Sequence, residues 1–367
     1  MQADKKSSKS IIAKLSAIFL RLIFSIFLIL FLIIGLFLLF INLNDFAPTQ
    51  KQPIQLLGQA YKHQVSASEL RIISWNVGYG GLGSSMDFFY DGGQRVRANK
   101  SQSQEWLHAI SRWIAQQAHA DFVLLQEIDI DAKRSYGTNQ HAQIAEVLPN
   151  HESALAINYQ IPFVPIPLSE PMGQVKAGMI SFSSYKTVSA TRYAYPQIAG
   201  WPNRMFLLDR CFIETRFAAT SGNELVILNT HNSAFIKDPN KMLLELSSIQ
   251  QKMLMEYELG NYVIAGGDWN MNPPGFSPSK NYGGHRFAAS PVAIPDNFFP
   301  VGWTFAFDTK NPTNRYLNQA YTKGITNSTT IDYFILSPNI TLENVAALDL
   351  NFEASDHNPV ILDISLN

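Results

Sequence analysis

The feature that most restricts the fold is an apolar run near the amino terminus. Residues Leu22 to Ile41 contain no charged side chain, and only Ser25 and Gly35 interrupt the apolar ones. About twenty such residues are enough to cross a bilayer as a helix. A buried core helix would have a polar face, and a signal peptide would have a shorter apolar region before a cleavage site. The run therefore predicts one membrane-spanning helix over residues 22–41.

The charges around this run predict its orientation. The basic residues near it all precede it: Lys5, Lys6, Lys9, Lys14 and Arg21. Because basic flanks stay in the cytoplasm, residues 1–21 are predicted to be cytoplasmic and the chain from about Asn42 onward to be extracytoplasmic.

The composition of the rest of the chain excludes fewer classes of function. Residues 1–21 hold five of the 28 basic side chains but one of the 29 acidic ones, so the remaining chain is net acidic. This balance disfavours a nucleic acid partner without excluding a local basic patch. The single Cys211 cannot form an internal disulfide, and a domain of this length does not need one.

The composition changes again before the folded domain. Residues 42–70 contain Pro48, Pro53 and several glutamines, which predict a flexible tether between membrane and domain. The domain is then expected to cover residues 71–367. Two of its helices have clear starts, one at a capping box of Ser101 and Gln104 and one at Asp238 with Pro239 in the first turn.

The segment Gly266-Gly267-Asp268-Trp269-Asn270 follows a short apolar run, Tyr262 to Ala265, that reads as a buried strand. In an extended chain Asp268 and Asn270 share one side, and Trp269 points the other way into packing. An ordinary turn is the simpler interpretation of this segment by itself.

Four further segments place polar side chains at the ends of predicted strands. They carry Trp75-Asn76, Gln126-Glu127, Thr230-His231, and Asp332 together with Ser355-Asp356-His357. Each one alone is common on protein surfaces. Their repetition predicts a site where the strand ends meet.

Two long loops accompany these strands. The loop from Gly78 to Lys100 carries Phe88, Phe89 and Tyr90, which can stack on bases, enter a lipid interface or pack on the domain. The connection from Asn272 to Pro300 is rich in Pro, Gly, Asn and Phe and is predicted to cover the site.

The order and spacing of these motifs resemble those of the endonuclease/exonuclease/phosphatase superfamily, the deoxyribonuclease I-like hydrolases, over residues 71–367. The resemblance implies an α/β (α+β) fold, a four-layer sandwich of two mixed β-sheets flanked by helices. It also implies metal-dependent hydrolysis of a phosphate ester, with nucleases, sphingomyelinases and inositol-phosphate phosphatases among the members.

Roles for the residues follow from the chemistry and from the resemblance. Glu127, with Asn76 and Asp356, is the expected metal site, and oxygen ligands favour Mg²⁺, with Mn²⁺ also suitable. The resemblance implies that Asp268 orients or deprotonates the attacking water and that Asn270 donates its amide to a phosphate oxygen.

The histidines complete the expected machinery. His231 and His357 are expected beside the phosphate, and Asp332 is expected to orient His357. The segment Ser-Glu-Pro-Met-Gly resembles the one that orients the other histidine in deoxyribonuclease I, which implies that Glu170 orients His231. Candidates for phosphate contact, with simple surface solvation as the alternative, are Arg95, Arg97, Lys176 and Arg210.

The sequence thus predicts a membrane-anchored, Mg²⁺-dependent phosphoesterase acting outside the cytoplasm. A phosphodiester or phosphomonoester of a lipid headgroup or small molecule is the favoured substrate, and no obligate protein partner is evident. One alternative is an extracytoplasmic nuclease on the same fold. Another is a non-catalytic membrane-bound binding module, which the complete set of acids, amides and histidines argues against.

Overall fold

The computed structural model describes residues 2–234, 238–277 and 292–367. The chain forms two units, Met1–Asp45 and Phe46–Asn367. The first consists of helix α1, Gln2–Leu43. Its segment Lys14–Leu43 contains an 18-residue stretch with a mean hydropathy of 3.3 and is long and apolar enough to span a membrane. The prediction of such a helix is confirmed, although the helix continues beyond both ends of the predicted range.

The second unit contains two mixed seven-stranded sheets. Sheet A has the order β1 (Lys51–Pro53), β7 (Ser189–Ala194), β8 (Cys211–Ala218), β9 (Glu224–His231), β10 (Tyr262–Asp268), β14 (Asp332–Leu336) and β11 (Thr304–Ala306). Sheet B has the order β15 (Ile340–Ala347), β16 (Val360–Leu366), β3 (Leu70–Asn76), β4 (Phe122–Asp129), β6 (Gly173–Ser183), β5 (Glu152–Val164) and β2 (Leu56–Gly58). A separate ribbon pairs β12 (Asn314–Arg315) with β13 (Ser328–Thr329).

Hydrophobic clusters hold the layers together. Between the sheets, side chains such as Ile72 and Leu124 of sheet B pack with Ile264 and Phe334 of sheet A. The outer face of sheet B is covered by α2 (Lys100–Gln116) and α3 (Gln140–Val147), and that of sheet A by α4 (Pro239–Glu258). The predicted four-layer sandwich is therefore confirmed.

Parallel strand pairs fix the position of the polar strand ends. In sheet B, β3 pairs in parallel with β4 and brings Asn76 beside Gln126. In sheet A, β9 pairs in parallel with β10 and brings His231 beside Asp268. Because parallel strands end at the same edge, the predicted site residues collect at one end of the sandwich.

The residues before the domain differ from the prediction. Strand β1 pairs with β7, β2 pairs with β5, and Val65 is fully buried in the core between the sheets. The prediction of a tether over 42–70 is therefore wrong from Lys51 onward. Both edge strands have three residues and are stabilised by their partners, which local composition does not reveal.

The helix starts differ in one detail. The N-cap of helix α2 lies two residues before the predicted one, because Asn99 and Gln102 form the capping box instead of Ser101 and Gln104. Helix α4 begins as predicted, with the Asp238 side chain accepting from Asn240 N.

A buried charge cluster attaches α4 to sheet A. Glu256 accepts two hydrogen bonds from Arg216, at 2.8 and 2.9 Å, and one each from Lys252 and Asn261. Burial alone would raise the pKa of the Glu256 carboxyl, but these donors outweigh it and lower that pKa to about 2.

We expect Glu256→Gln to lower the free energy of unfolding by about 2 kcal/mol at neutral pH, because it removes a carboxylate that accepts hydrogen bonds from Arg216 and Lys252, although both cations keep Glu214 as a partner. The folded-state pKa is depressed, so this stabilisation is complete above the ordinary glutamate pKa of 4.5 and is lost as pH falls toward 2. Urea unfolding of the full chain in detergent at several pH values measures it. The exposed Glu258→Gln on the same helix is the control and should change stability by less than about 0.5 kcal/mol. Equal stability of the two variants would contradict the role of the cluster.

Candidate active site

Asp268 lies at the centre of the polar cluster and is 1% exposed. The strand that carries it depends on Gly267, whose φ is +147° and where a Cβ would lie 2.0 Å from the carbonyl oxygen of Thr230. Only glycine permits this approach of β10 to β9. The close approach sets His231 Nε2 at 3.4 Å from Asp268 Oδ2.

Asn76 joins the two sheets through hydrogen bonds to two acids. Its Nδ2 donates to Glu127 Oε1 at 3.1 Å and to Asp268 Oδ2 at 2.9 Å. Its Oδ1 accepts from Gly78 N at 3.0 Å. Asn76 thus presents its NH₂ group to the acids in this arrangement, and its assignment as a metal ligand stays a prediction.

His357 forms the second link to Asp268. Its Nδ1 lies 2.8 Å from Asp332 Oδ2, the contact that the sequence predicts, and its Nε2 lies 3.8 Å from Asp268 Oδ2. Burial lowers the pKa of His357, but the negative charges of Asp332, Asp356 and Asp268 outweigh it and raise that pKa well above the ordinary value. These carboxylates therefore favour the protonated form of the imidazole.

Among the described residues, Asp268, Asp332 and His357 have candidate ligand atoms that all lie within 4.8 Å of one another. The hydrogen bond between His357 and Asp332 already uses two of these side chains, and a protonated imidazole is not a metal ligand. This group is better suited to hold a proton between acid and histidine than to hold a cation.

His231 has a different environment from His357. Burial, and then the positive charges of Arg210 and His357, lower its pKa well below the ordinary value, so its ring is neutral. Within the described residues, His231 Nδ1 has no hydrogen-bond partner. Glu170, predicted to orient this ring, instead pairs with Arg97 at 3.1 Å and its side chain is 57% exposed. That prediction is wrong, because the loop before β6 turns Glu170 toward Arg97 and solvent.

Arg210 lies near enough to His231 to affect its pKa, as a phosphate-binding residue would. Within the described part of the chain, Arg210 Nη1 is buried and has no hydrogen-bond partner. A buried donor without an acceptor is costly, so a ligand oxygen at this position would be stabilised.

Glu127 occupies an unusual backbone position. Its φ is +55°, in the left-handed region, where the pairing of β4 with β6 shifts register between Leu125 and Ile128. Such bulges redirect a side chain out of the regular alternation. The Glu127 carboxylate consequently faces Asn76 and the site, with a quarter of its side chain exposed.

Asp356 completes the acid group. Gly78, with φ +51°, passes so close that a Cβ there would lie 2.8 Å from Asp356 Oδ1. Burial raises the pKa of Asp356 to about 7, and the nearby charge of Glu127 adds to this effect. Among the described residues, only histidines lie within 4.0 Å of the Asp356 or Glu127 carboxylates as basic groups. Two acids with no Lys or Arg partner are a suitable oxygen pair for a hard cation.

Trp269 has the expected direction, whereas the chain is not extended at Asn270. Trp269 is fully buried, and its Nε1 donates to Tyr333 O at 2.9 Å. Asn270 adopts a left-handed φ of +51°, its backbone N–H donates to Asp268 Oδ1, and its Nδ2 donates to Asn232 O at 2.8 Å. Its contact with a phosphate oxygen stays a prediction.

Two residues behind the site, Asn314 and Arg315, could not be predicted from the sequence. Asn314 Nδ2 lies 3.0 Å from His357 Nε2, so it donates to this nitrogen when the ring is neutral, and only the flipped amide would place its oxygen there to accept from a protonated ring. Arg315 is almost fully buried and donates to the carbonyls of Leu82, Gly83 and Met86, which fixes the loop after β3. Both lie close to Asp356 and His357 in space, but they precede them by more than forty residues in sequence.

The structure describes all of the loop after β3 but only part of the loop from Asn272 to Pro300. In the loop after β3, Phe88 and Phe89 are half-buried with ring centroids 5.1 Å apart, and Tyr90 is 58% exposed. The aromatic residues thus pack largely on the domain. Of the loop from Asn272 to Pro300, predicted to cover the site, residues 278–291 lie outside the described residues.

A family model for the Endonuclease/Exonuclease/phosphatase family matches residues 73–357, which include nearly every residue discussed above. The chain belongs to this family. Members of the family are hydrolases, among them nucleases and phosphatases, and they generally depend on a divalent metal.

Solved structures show the same fold at low sequence identity. An endonuclease/exonuclease/phosphatase from Beutenbergia cavernae is 16% identical with a TM-score of 0.55, over 82% of this chain and 72% of that chain. The human Nocturnin catalytic domain with bound sulfate is 15% identical with a TM-score of 0.52, over 86% and 99%. D. rerio TDP2 complexed with single-strand DNA product is 16% identical with a TM-score of 0.50, over 81% and 99%. No curated protein matches the chain in sequence.

We expect Asp268→Asn to reduce turnover of a phosphate ester on the order of a hundredfold or more, because the amide keeps the shape but cannot accept a proton. Circular dichroism should show an unchanged fold. Asp349→Asn, in a surface pair with Lys323, is the matched control and should leave turnover unchanged. Near-normal turnover of the purified Asp268 variant would remove this carboxylate from the mechanism.

Proposed function

We propose that this protein is a membrane-anchored, Mg²⁺-dependent phosphoesterase that hydrolyses a phosphodiester or phosphomonoester by attack of water. The observation that carries the proposal is the convergence of acids, amides and histidines from both sheets on Asp268. A binding module would not need a buried acid next to one neutral and one cationic histidine.

Glu127 and Asp356 are the residues that would hold the metal. They face the same site, and the charge of Glu127 makes it more costly to ionise Asp356. Among the described residues, neither carboxylate has a Lys or Arg within 4.0 Å. Carboxylate oxygens favour Mg²⁺ or Mn²⁺ over softer metals. When bound, the cation stabilises the negative charge that develops on the phosphate and the leaving group.

Asp268 is the proposed base for the attacking water. Burial raises its pKa to about 6, partly offset by the His357 cation, so the carboxylate is ionised at neutral pH yet basic enough to accept a proton. Asn76 and the backbone N–H of Asn270 hold the two carboxylate oxygens in place.

The histidines and the nearby amide are proposed to bind the phosphoryl oxygens. His357 is positively charged and is held in position by Asp332, while neutral His231 offers a donor without adding charge. Asn270 and Arg210 supply further donors at the same side. Donors of this kind stabilise charge that appears in the transition state.

The anchor and the net acidic domain favour a lipid headgroup or other small phosphate ester outside the cytoplasm as substrate. The alternative is a nuclease, since D. rerio TDP2 has the same fold and was solved with a single-strand DNA product.

The test is one panel of substrates with the full chain in detergent: duplex DNA, single-stranded DNA, RNA, sphingomyelin, glycerophospholipids and inositol phosphates, each with Mg²⁺ and with excess chelator. We expect Mg²⁺-dependent hydrolysis of a lipid or small phosphate ester and at least tenfold less on nucleic acids. Preferential cleavage of DNA or RNA would establish the nuclease instead. If none of these substrates were hydrolysed, the proposal that the protein is an enzyme would be contradicted.

The same assay tests the metal residues. Glu127→Gln should raise the Mg²⁺ concentration needed for half-maximal activity by about tenfold or more, because it removes a charged ligand. Glu170→Gln is the control with the same chemical change at a carboxylate that pairs with Arg97, and it should leave the Mg²⁺ requirement unchanged. Full activity of the wild type in excess chelator would contradict the role of the metal.

A further inference from the structure

The strand register shows which end of the catalytic unit the anchor helix is attached to. The chain joins sheet A at β1, where Ala194 N donates to Gln50 O at 2.8 Å. From there one row of neighbouring residues runs across the sheet through the pairs Lys51–Tyr193, Tyr193–Phe212, Phe212–Thr230 and Thr230–Gly267, and it ends one residue before His231 and Asp268. The row crosses four strand spacings, or about 19 Å. The chain thus leaves toward α1 from the end of sheet A that bears Asp268.

The connection to the anchor is also short. Helix α1 ends at Leu43 and β1 begins at Lys51. The seven residues 44–50 span at most about 25 Å even when fully extended. A helix fixed in a bilayer would therefore keep this end of the sheet near the bilayer surface.

Two loops at the same end expose apolar side chains. The loop of residues 195–210 follows β7 and exposes Trp201, at 60%, and Leu207. The loop of residues 165–172, between β5 and β6, exposes Ile166 and Leu168, the latter at 86%. Strand β5 reaches this end because it runs parallel to β4, and its pairing with β6 continues past Asp129 to Val164.

Hydrogen bonds from α4 and β5 fix the loop of residues 195–210, and the Trp201 side chain in this loop is exposed to solvent. The Lys241 ammonium of α4 donates to Ile198 O at 2.8 Å, and the Tyr159 hydroxyl of β5 donates to Phe206 O at 3.2 Å. The same loop ends at Arg210, beside His231. It therefore connects an exposed aromatic side chain to the proposed phosphate site.

We propose that Trp201, Leu207, Ile166 and Leu168 form a membrane-contact surface that rests on the bilayer holding α1 and presents the active site to phosphate esters at headgroup depth. Tryptophan and leucine side chains are stabilised where apolar chains meet polar headgroups. Exposed apolar residues also occur at the opposite end of sheet A, as at Val301 before β11, but within the described residues no helix that could span a membrane is attached there. The assignment of a lipid-borne substrate rests on the proposed function; the contact surface rests on the anchor.

The test uses the six tryptophans of the chain, none of which lies in α1. The full chain is reconstituted into phosphatidylcholine vesicles that contain a lipid brominated either near the ester group or near the end of the acyl chain. We expect the shallow bromine to quench tryptophan emission at least about twice as strongly as the deep one, as for a side chain at the interface. This quenching should be lost in Trp201→Phe. The control Trp303→Phe, a half-buried residue before β11, should retain it.

Equal quenching of wild type and Trp201→Phe would overturn the contact surface, as would failure of the full chain to insert into vesicles. Quenching lost in both Trp variants would also contradict it. The readout does not depend on catalysis. Loss of quenching in Trp201→Phe together with no hydrolysis of any ester would therefore retain the contact surface and reject the proposed function.

Discussion

The structure depends on the electrostatic cost of four carboxylates collected at one end of the sandwich: Glu127, Asp268, Asp332 and Asp356. Burial raises the pKa of Asp268 to about 6 and that of Asp356 to about 7, so keeping them ionised costs free energy. His357 compensates Asp332 and Asp268 with its positive charge. We infer that a divalent cation compensates Glu127 and Asp356. This arrangement lowers stability, so stability does not explain it. Buried charges of this kind are typical of functional sites, and here they are suited to phosphate chemistry.

Much of the site could be predicted from sequence because its signals are local. An apolar run followed by Asp268, Glu127 or His231 marks a strand end, and parallel pairing then brings such ends together. Helix α1, which is long and apolar enough to span a membrane, could also be predicted from sequence, since length and apolarity are properties of one segment. The pairing of Asp332 with His357 followed from the family resemblance and is present at 2.8 Å.

Apart from the start of α2, which is a local difference, the failures involve contacts between distant segments. Glu170 was assigned to His231, but its nearest basic partner is Arg97, more than seventy residues earlier. Strands β1 and β2 were read as tether because three-residue edge strands carry no periodicity of their own. The left-handed φ of Glu127 arises from a bulge against β6, and the amide of Asn314 reaches His357 only through the folded chain. The early start of the domain also bears on the proposals above, since sheet A begins at β1, seven residues after the end of α1, and not after a long tether.

The central claim is that Glu127 and Asp356 share one divalent cation. Binding of Mn²⁺, followed by the loss of the free-ion electron paramagnetic resonance signal, tests it without any substrate. We expect the wild-type chain in detergent to bind Mn²⁺ in competition with Mg²⁺, and Glu127→Gln and Asp356→Asn each to weaken that binding by about tenfold or more. Undiminished Mn²⁺ binding in both variants would contradict the account.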